Sequence, residues 1–276
     1  MSRGEKSNST PDTLSIDNEV IKDQKKIANS FNEYFSSVAS KLQDRFYPSK
    51  TKFSHYLKNR VNDSFIITPT NKNEIMSIID KISPSKAIGP HSVAPFLLNQ
   101  IKEYISQPIA DLVNMSLEQG IYIDALKISK TIQIFKNKGS DLHVQNYRPI
   151  SLLSNIDKIF ERVMFNRVVD FLNKHNCIYN KQFGFRKNHS TVHALLDLTE
   201  EIRHALDNNL FAAGIFLDFQ KAFDTVGHVI FLKKLEHYGI RGTANKWFES
   251  YLKNRMQYVS TNGISSDIIL VLLGVP

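Results

Sequence analysis

Cysteine is nearly absent: 276 residues hold one, Cys177, which excludes an intramolecular disulfide framework and any zinc module built on several thiolates. Long apolar runs are missing too. The longest, Ile268 to Pro276, falls short of the roughly twenty residues that a membrane-spanning helix needs. The polar start, MSRGEKSNSTPDTLSID, lacks the apolar core of a secretory signal. These absences lead us to expect a soluble, intracellular protein with no membrane partner; nothing in the sequence indicates an oligomeric state. Acid is also in short supply, with 27 Asp and Glu against 35 Lys and Arg, a formal charge of +8. A basic surplus predicts a polyanionic partner without naming it. Core-forming residues are plentiful: 42% of the chain is hydrophobic, with 18 Phe and 10 Tyr, which excludes global disorder.

Residues 1–26 are polar with scattered apolars and predict a flexible tail. Apolars then recur at helical spacing through Ile27, Phe31, Tyr34, Phe35, Val38 and Leu42. Further helical runs follow over Glu74–Ile82 and Pro95–Glu118, the second closed by Gly120. Thr131 to Phe135 alternates with β-branched residues and predicts a strand. Ser154 and Asp157 form a capping-box-like helix start, and Thr191–Leu206 places Leu195, Leu198, Ile202 and Ala205 on one face. LFAAGIFLDF, residues 210–219, has the length and apolarity of a strand covered on both faces. Helices over Val229–Tyr238 and Ala244–Leu252 and strands over Gln257–Ser260 and Ile268–Leu273 complete the pattern.

The positive charge is concentrated. From Ala125 to Lys187 the basic surplus equals the +8 of the whole chain. Lys158, Arg162 and Arg167 fit a solvated helix face, whereas Lys136, Lys138, Arg148, Arg186 and Lys187 sit beside turns, where they can converge on phosphates. Asp218 closes an otherwise apolar run, a costly place for a carboxylate unless it is solvated, paired or metal-bound. From the residues alone two roles stay open for it: a turn cap, or a ligand for magnesium, which takes a few oxygen ligands plus substrate phosphates. Asp224 has the position of a helix-start residue. His175, Cys177, His189 and His193 offer zinc-ligating atoms, but a lone thiolate and a histidine pair straddling a helix start favour ordinary histidines.

Four motifs occur in order: Asn146-Tyr147-Arg148-Pro149-Ile150-Ser151-Leu152-Leu153; Gln182-Phe183-Gly184-Phe185-Arg186 with Ser190-Thr191; FLDFQKAFDTV from Phe216; and Gly274-Val275-Pro276. Together they resemble the reverse transcriptase domain of non-LTR (LINE-type) retrotransposons, most of all the jockey-like elements. SLEQGIYIDALKISKTIQIFKNKG, LKKLEHYGI and SYLKNRMQYV extend the resemblance from about Ile27 to the last residue. Gln133, His91-Ser92 and Gly227 depart from the family pattern, which often has Pro, Asp-Gly and Asp there.

The resemblance implies an α+β right-hand polymerase: a helical N-terminal extension over 27–130, fingers over 131–210 and the start of a palm over 211–276. It implies an RNA-directed DNA polymerase acting in the nucleus on an RNA template and a DNA primer with dNTP. Two Mg²⁺ ions would serve the transfer, with Asp218 as the first metal-binding aspartate and the Phe219 carbonyl helping to hold the second ion. Arg186 and Lys187 would grip the triphosphate, and Phe223 would clash with a ribose 2′-hydroxyl. Lys136, Lys138 and Arg148 would contact template or phosphate. The family continues past Gly-Val-Pro to an Asp-Asp hairpin, so the expectation is a fragment that does not carry out processive synthesis alone. The alternative is a non-catalytic nucleic-acid-binding remnant whose affinity falls steeply with salt.

Overall fold

The computed structural model describes residues 11–16, 19–45, 49–84 and 88–275. The chain forms mixed helices and sheets in two compact units, one made of residues 1–168 and 221–276, the other of residues 169–220.

The first unit opens with a small antiparallel hairpin, β1 (Leu14–Ile16) and β2 (Glu19–Ile21). Leu14, within the expected tail over 1–26, is fully buried; residues 1–10 lie outside the described set. Helix α1 (Gln24–Gln43) starts where the Asp23 side chain accepts from the Lys26 N–H, and it buries the predicted stripe of Ile27, Phe31, Phe35 and Val38. α2 (Lys72–Asp80) is capped by Asn71 in the same way. α3 (Pro95–Gln119) is one unbroken helix despite the missing donor at Pro108, and Gly120 ends it in the left-handed region at φ 67°.

A five-stranded sheet follows from β3 (Ile128–Phe135), β4 (Tyr147–Leu152), β5 (Arg255–Thr261), β6 (Ile264–Ser265) and β7 (Ile269–Val271). β3 pairs antiparallel with β4, setting Phe135 opposite Tyr147, and parallel with β5, setting Thr131 opposite Val259. The other edge of β5 carries β6 and β7, both antiparallel. Residues that the resemblance assigns to fingers and to palm therefore share one ladder.

α1 lies on this sheet. Leu14, Ile27, Phe31, Phe35, Tyr147 and Val259 form a buried cluster, in which Phe31 meets Tyr147 edge-on at 4.9 Å. Such a ring pair is worth about 1 kcal/mol beyond its burial. Polar residues of β5 are buried in pairs: Gln257 Nε2 donates to Asn32 Oδ1 (3.0 Å), and Gln133 of β3, at the departure from the family pattern, donates to Thr261 Oγ1 (2.9 Å). A second core joins α3 to α4 (Asn155–Lys174) and α7 (Gly242–Leu252) through Tyr122, Phe160 and Trp247. α6 (His228–His237) precedes α7 and is capped at Gly227 rather than at Asp224.

The second unit holds α5 (Thr191–Asp207), capped by Ser190. Leu195, Leu198 and Ile202 do lie along it, but they are exposed. The expected strand over Leu210–Phe219 does not form. Its backbone is irregular, and Phe211, Ile215, Phe216, Leu217 and Phe219 all stand exposed. A strand exists only with a partner for its N–H and C=O groups, and no described strand pairs with this segment.

Candidate nucleotide site

Each unit carries part of the expected chemistry. In the first, β3 runs out at Phe135, and Lys136 is then tied back to the hairpin: its N–H donates to the Asn146 carbonyl (2.8 Å) and its Nζ to the Gln145 carbonyl (2.6 Å). The ladder sets Arg148 opposite Ile134, at the same end of the hairpin as Lys136. A third cation, Lys221, comes from the turn before α6. Partial burial lowers the pKa of the Lys136 ammonium, and the positive charges of Lys221 and Arg148 lower it further. Like charges brought this close disfavour one another until an anion neutralises them. Lys138, beyond the turn, is exposed.

Lys221 is held firmly. Its Nζ lies 3.4 Å from Asp224 Oδ2 and 5.9 Å from the ring centroids of both Tyr34 and Phe35 on α1. Burial, and then the nearby Asp224 carboxylate, raise the Tyr34 phenol above its usual pKa. Phe223, two residues after Lys221, is 59% exposed. The turn is closed from behind by the Gly-Val segment: Gly274 N–H donates to the Val226 carbonyl (3.0 Å) and Val275 N–H to the Phe223 carbonyl (3.2 Å). A cavity of about 70 Å³ beneath, bordered by Phe35, Asp224, His228 and Arg255, has room for a few waters and none for a nucleotide.

In the second unit Asp218 and Phe219 stand exposed on the irregular segment. Arg186 Nη1 reaches the carbonyls of Tyr179 and Asn180 at 3.3 and 3.4 Å, and Lys187 is exposed. His189 and His193 face each other at 6.3 Å between ring centroids. The resemblance implies two magnesium ions, which need several oxygen ligands. Among the described residues no three His, Cys, Asp or Glu side chains gather to hold a metal ion. An exposed Asp218 outside any such group does not fit a pair of ions. Among the described residues, no helix is long and apolar enough to cross a membrane.

A family model described as reverse transcriptase (RNA-dependent DNA polymerase) matches residues 134–275. The chain belongs to this reverse transcriptase family. That match runs from the last two residues of β3 to the Gly-Val segment, so Lys136, Arg148, Lys221 and Phe223 all lie inside it. The family is generally dependent on divalent metal. Among relatives, the chain is 29% identical over 245 residues to the RNA-directed DNA polymerase from mobile element jockey of Drosophila melanogaster, covering 86% of this chain and 27% of the relative. It is 27% identical over 264 residues to the probable RNA-directed DNA polymerase from transposon BS of the same fly, covering 94% and 28%. The corresponding polymerase from transposon X-element is 28% identical over 251 residues, covering 86% and 27%. The chain thus spans about a quarter of the length of the curated relatives it matches. These matches support a reverse transcriptase domain of the LINE type.

One of the three neighbouring cations was not singled out from sequence. Lys221 sits inside FLDFQKAFDTV, and its part emerges only when α1, distant in sequence, brings Tyr34 and Phe35 against it. The available signal was a lysine three residues before an aspartate on a turn.

Proposed function

We propose that this chain supplies the nucleotide-gripping part of an RNA-directed DNA polymerase, with Lys136, Arg148 and Lys221 receiving the triphosphate of an incoming dNTP. The observation that carries this is that Lys136 feels the charges of both Arg148 and Lys221, the latter two residues before Phe223, in a reverse transcriptase chain. A triphosphate matches them well. Arg148 offers a planar fork to two phosphate oxygens, while the two lysines act as point charges. With the phosphates fixed there, the sugar meets the exposed Phe223 ring, and an aromatic wall rejects a ribose 2′-hydroxyl by clash. Arg186 and Lys187, by resemblance, are proposed as further triphosphate donors and Lys138 as a template contact, while Asp218 and the Phe219 carbonyl keep their metal role as an expectation from the resemblance alone. RNA template and DNA primer are the proposed nucleic-acid partners, and the proposal takes the N-terminal extension over 27–130, the fingers over 131–210 and the palm over 211–276 from the resemblance.

In the measurement that tests this, dATP competes with a fluorescent analogue for the purified chain. Lys136→Ala and Arg148→Ala are each expected to weaken dATP about ten-fold, the loss of one charge-assisted contact. Unchanged affinity in both variants sinks the proposal. A second reading is favoured by one observation, the lack of a gathered carboxylate set among the described residues. It makes the chain a nucleic-acid-binding remnant; its signature is RNA–DNA hybrid affinity that falls steeply with salt and is indifferent to dATP.

A further inference from the structure

We propose that His228 and Gly274 are positioning residues for Phe223. On this view the sugar selectivity of the site is set from behind, by the clasp between the start of α6 and the Gly-Val segment. The inference rests on the reading of Phe223 as the barrier to a 2′-hydroxyl.

Three hydrogen bonds make the clasp. Val275 N–H donates to the carbonyl of Phe223 itself (3.2 Å), Gly274 N–H donates to the Val226 carbonyl (3.0 Å), and His228 Nε2 lies 2.8 Å from the Gly274 carbonyl oxygen. A carbonyl can only accept, so His228 carries its proton on Nε2 in this contact. The segment also approaches as closely as it does only because residue 274 lacks a side chain. Gly274 has φ 87°, and a Cβ there would lie 2.8 Å from the Asp224 carbonyl oxygen and 3.0 Å from that of Phe223. The ring of Phe223, 59% exposed, projects from the backbone that this clasp holds. His228 fixes Gly274, Gly274 and Val275 fix the 223–226 turn, and the turn aims the ring. His228 belongs to α6 and has no place among the phosphate-binding cations, which separates its effect from theirs.

The experiment reads two quantities on the full chain. One is the ratio of dATP to ATP affinity; the other is the ¹⁹F resonance of 4-fluorophenylalanine introduced at position 223. The unaltered chain is expected to prefer dATP by about ten-fold or more and to show one narrow resonance. His228→Ala should bring the ratio close to one and shift or broaden the resonance, with dATP affinity itself little changed. His228→Gln, whose amide can still donate to the Gly274 carbonyl, should retain both signals, and the shorter His228→Asn should lose them. That pair carries the test if His228→Ala does not fold. His228→Ala, or Asn, with the unaltered ratio and resonance overturns the proposal and leaves the Phe223 reading standing. An unaltered chain without preference for dATP overturns the Phe223 reading, and this proposal with it.

Discussion

Replacing Arg255 by Met is expected to destabilise the first unit by about 3–5 kcal/mol at pH 8, because it strands a buried carboxylate. Arg255 is 6% exposed at the start of β5 and Asp157 is fully buried in α4; Arg255 Nη2 lies 3.6 Å from Asp157 Oδ2. The guanidinium also donates to the Tyr251 carbonyl (3.1 Å) and lies 4.7 Å from the Tyr251 ring centroid, while the Tyr122 hydroxyl donates to Asp157 Oδ1. Burial, and then the neighbouring Glu161, push the Asp157 carboxyl up to about 7, although Arg255 pulls in the opposite direction. Its ordinary value is 3.8, so the folded state holds this proton over a range where the unfolded chain has released it. The stability gained from that proton is complete below about pH 4 and is lost as the pH rises through about 7.

The Met variant should therefore be hurt less at pH 5, where Asp157 is protonated, than at pH 8. Asp157→Asn should flatten the pH dependence, and the double variant should recover most of the loss. Urea unfolding at the two pH values measures all of this. Equal destabilisation at both pH values contradicts the buried-carboxylate account.

Trp247→Ala is expected to cost a similar amount, about 3–5 kcal/mol, for a different reason: it opens a void in a rigid aromatic cluster. Trp247 is 1% exposed, stacks on Tyr251 at 5.5 Å with a 4° interplanar angle, and meets Tyr122 edge-on at 5.1 Å. Its Nε1–H donates to Ser116 Oγ (3.0 Å), so truncation also removes a partner from a buried hydroxyl on α3. The same rings shield the Arg255 ion pair, so the Ala variant should also soften the pH dependence by admitting water. As the only tryptophan, Trp247 reports unfolding of the unaltered chain by fluorescence, while circular dichroism is needed for the variant. Phe at this position should restore most of the loss, leaving the Ser116 contact as the remainder.

What the sequence could and could not disclose follows from the range of the forces involved. Helix α1 was legible because its apolar stripe is local, and β3 because alternation with β-branched residues is local too. Asp157 was read as a helix-start acid. Its backbone N–H does serve the helix start, donating to Ser154 Oγ (3.0 Å), yet its carboxylate lies against Arg255 and Tyr122, which no local pattern connects to it. The segment 210–219 failed in the opposite direction. Its apolar run encodes willingness to be a strand, but strandedness is a property of pairs, and the described sheet ends without it. The motif order led to the reverse transcriptase family and to the proposed roles of Lys136, Arg148 and Phe223, while the roles proposed for Lys221 and His228 rest on tertiary neighbours.

The central claim is that a deoxynucleoside triphosphate sits on the open side of the 221–226 turn, against Lys136 and Arg148. Hydrogen–deuterium exchange of the chain with and without saturating dATP locates the ligand directly. Added protection is expected over residues 134–149 and 221–226, with α2 and the body of α3 unchanged. Saturating dATP that leaves both of those segments at their ligand-free rates would contradict the account.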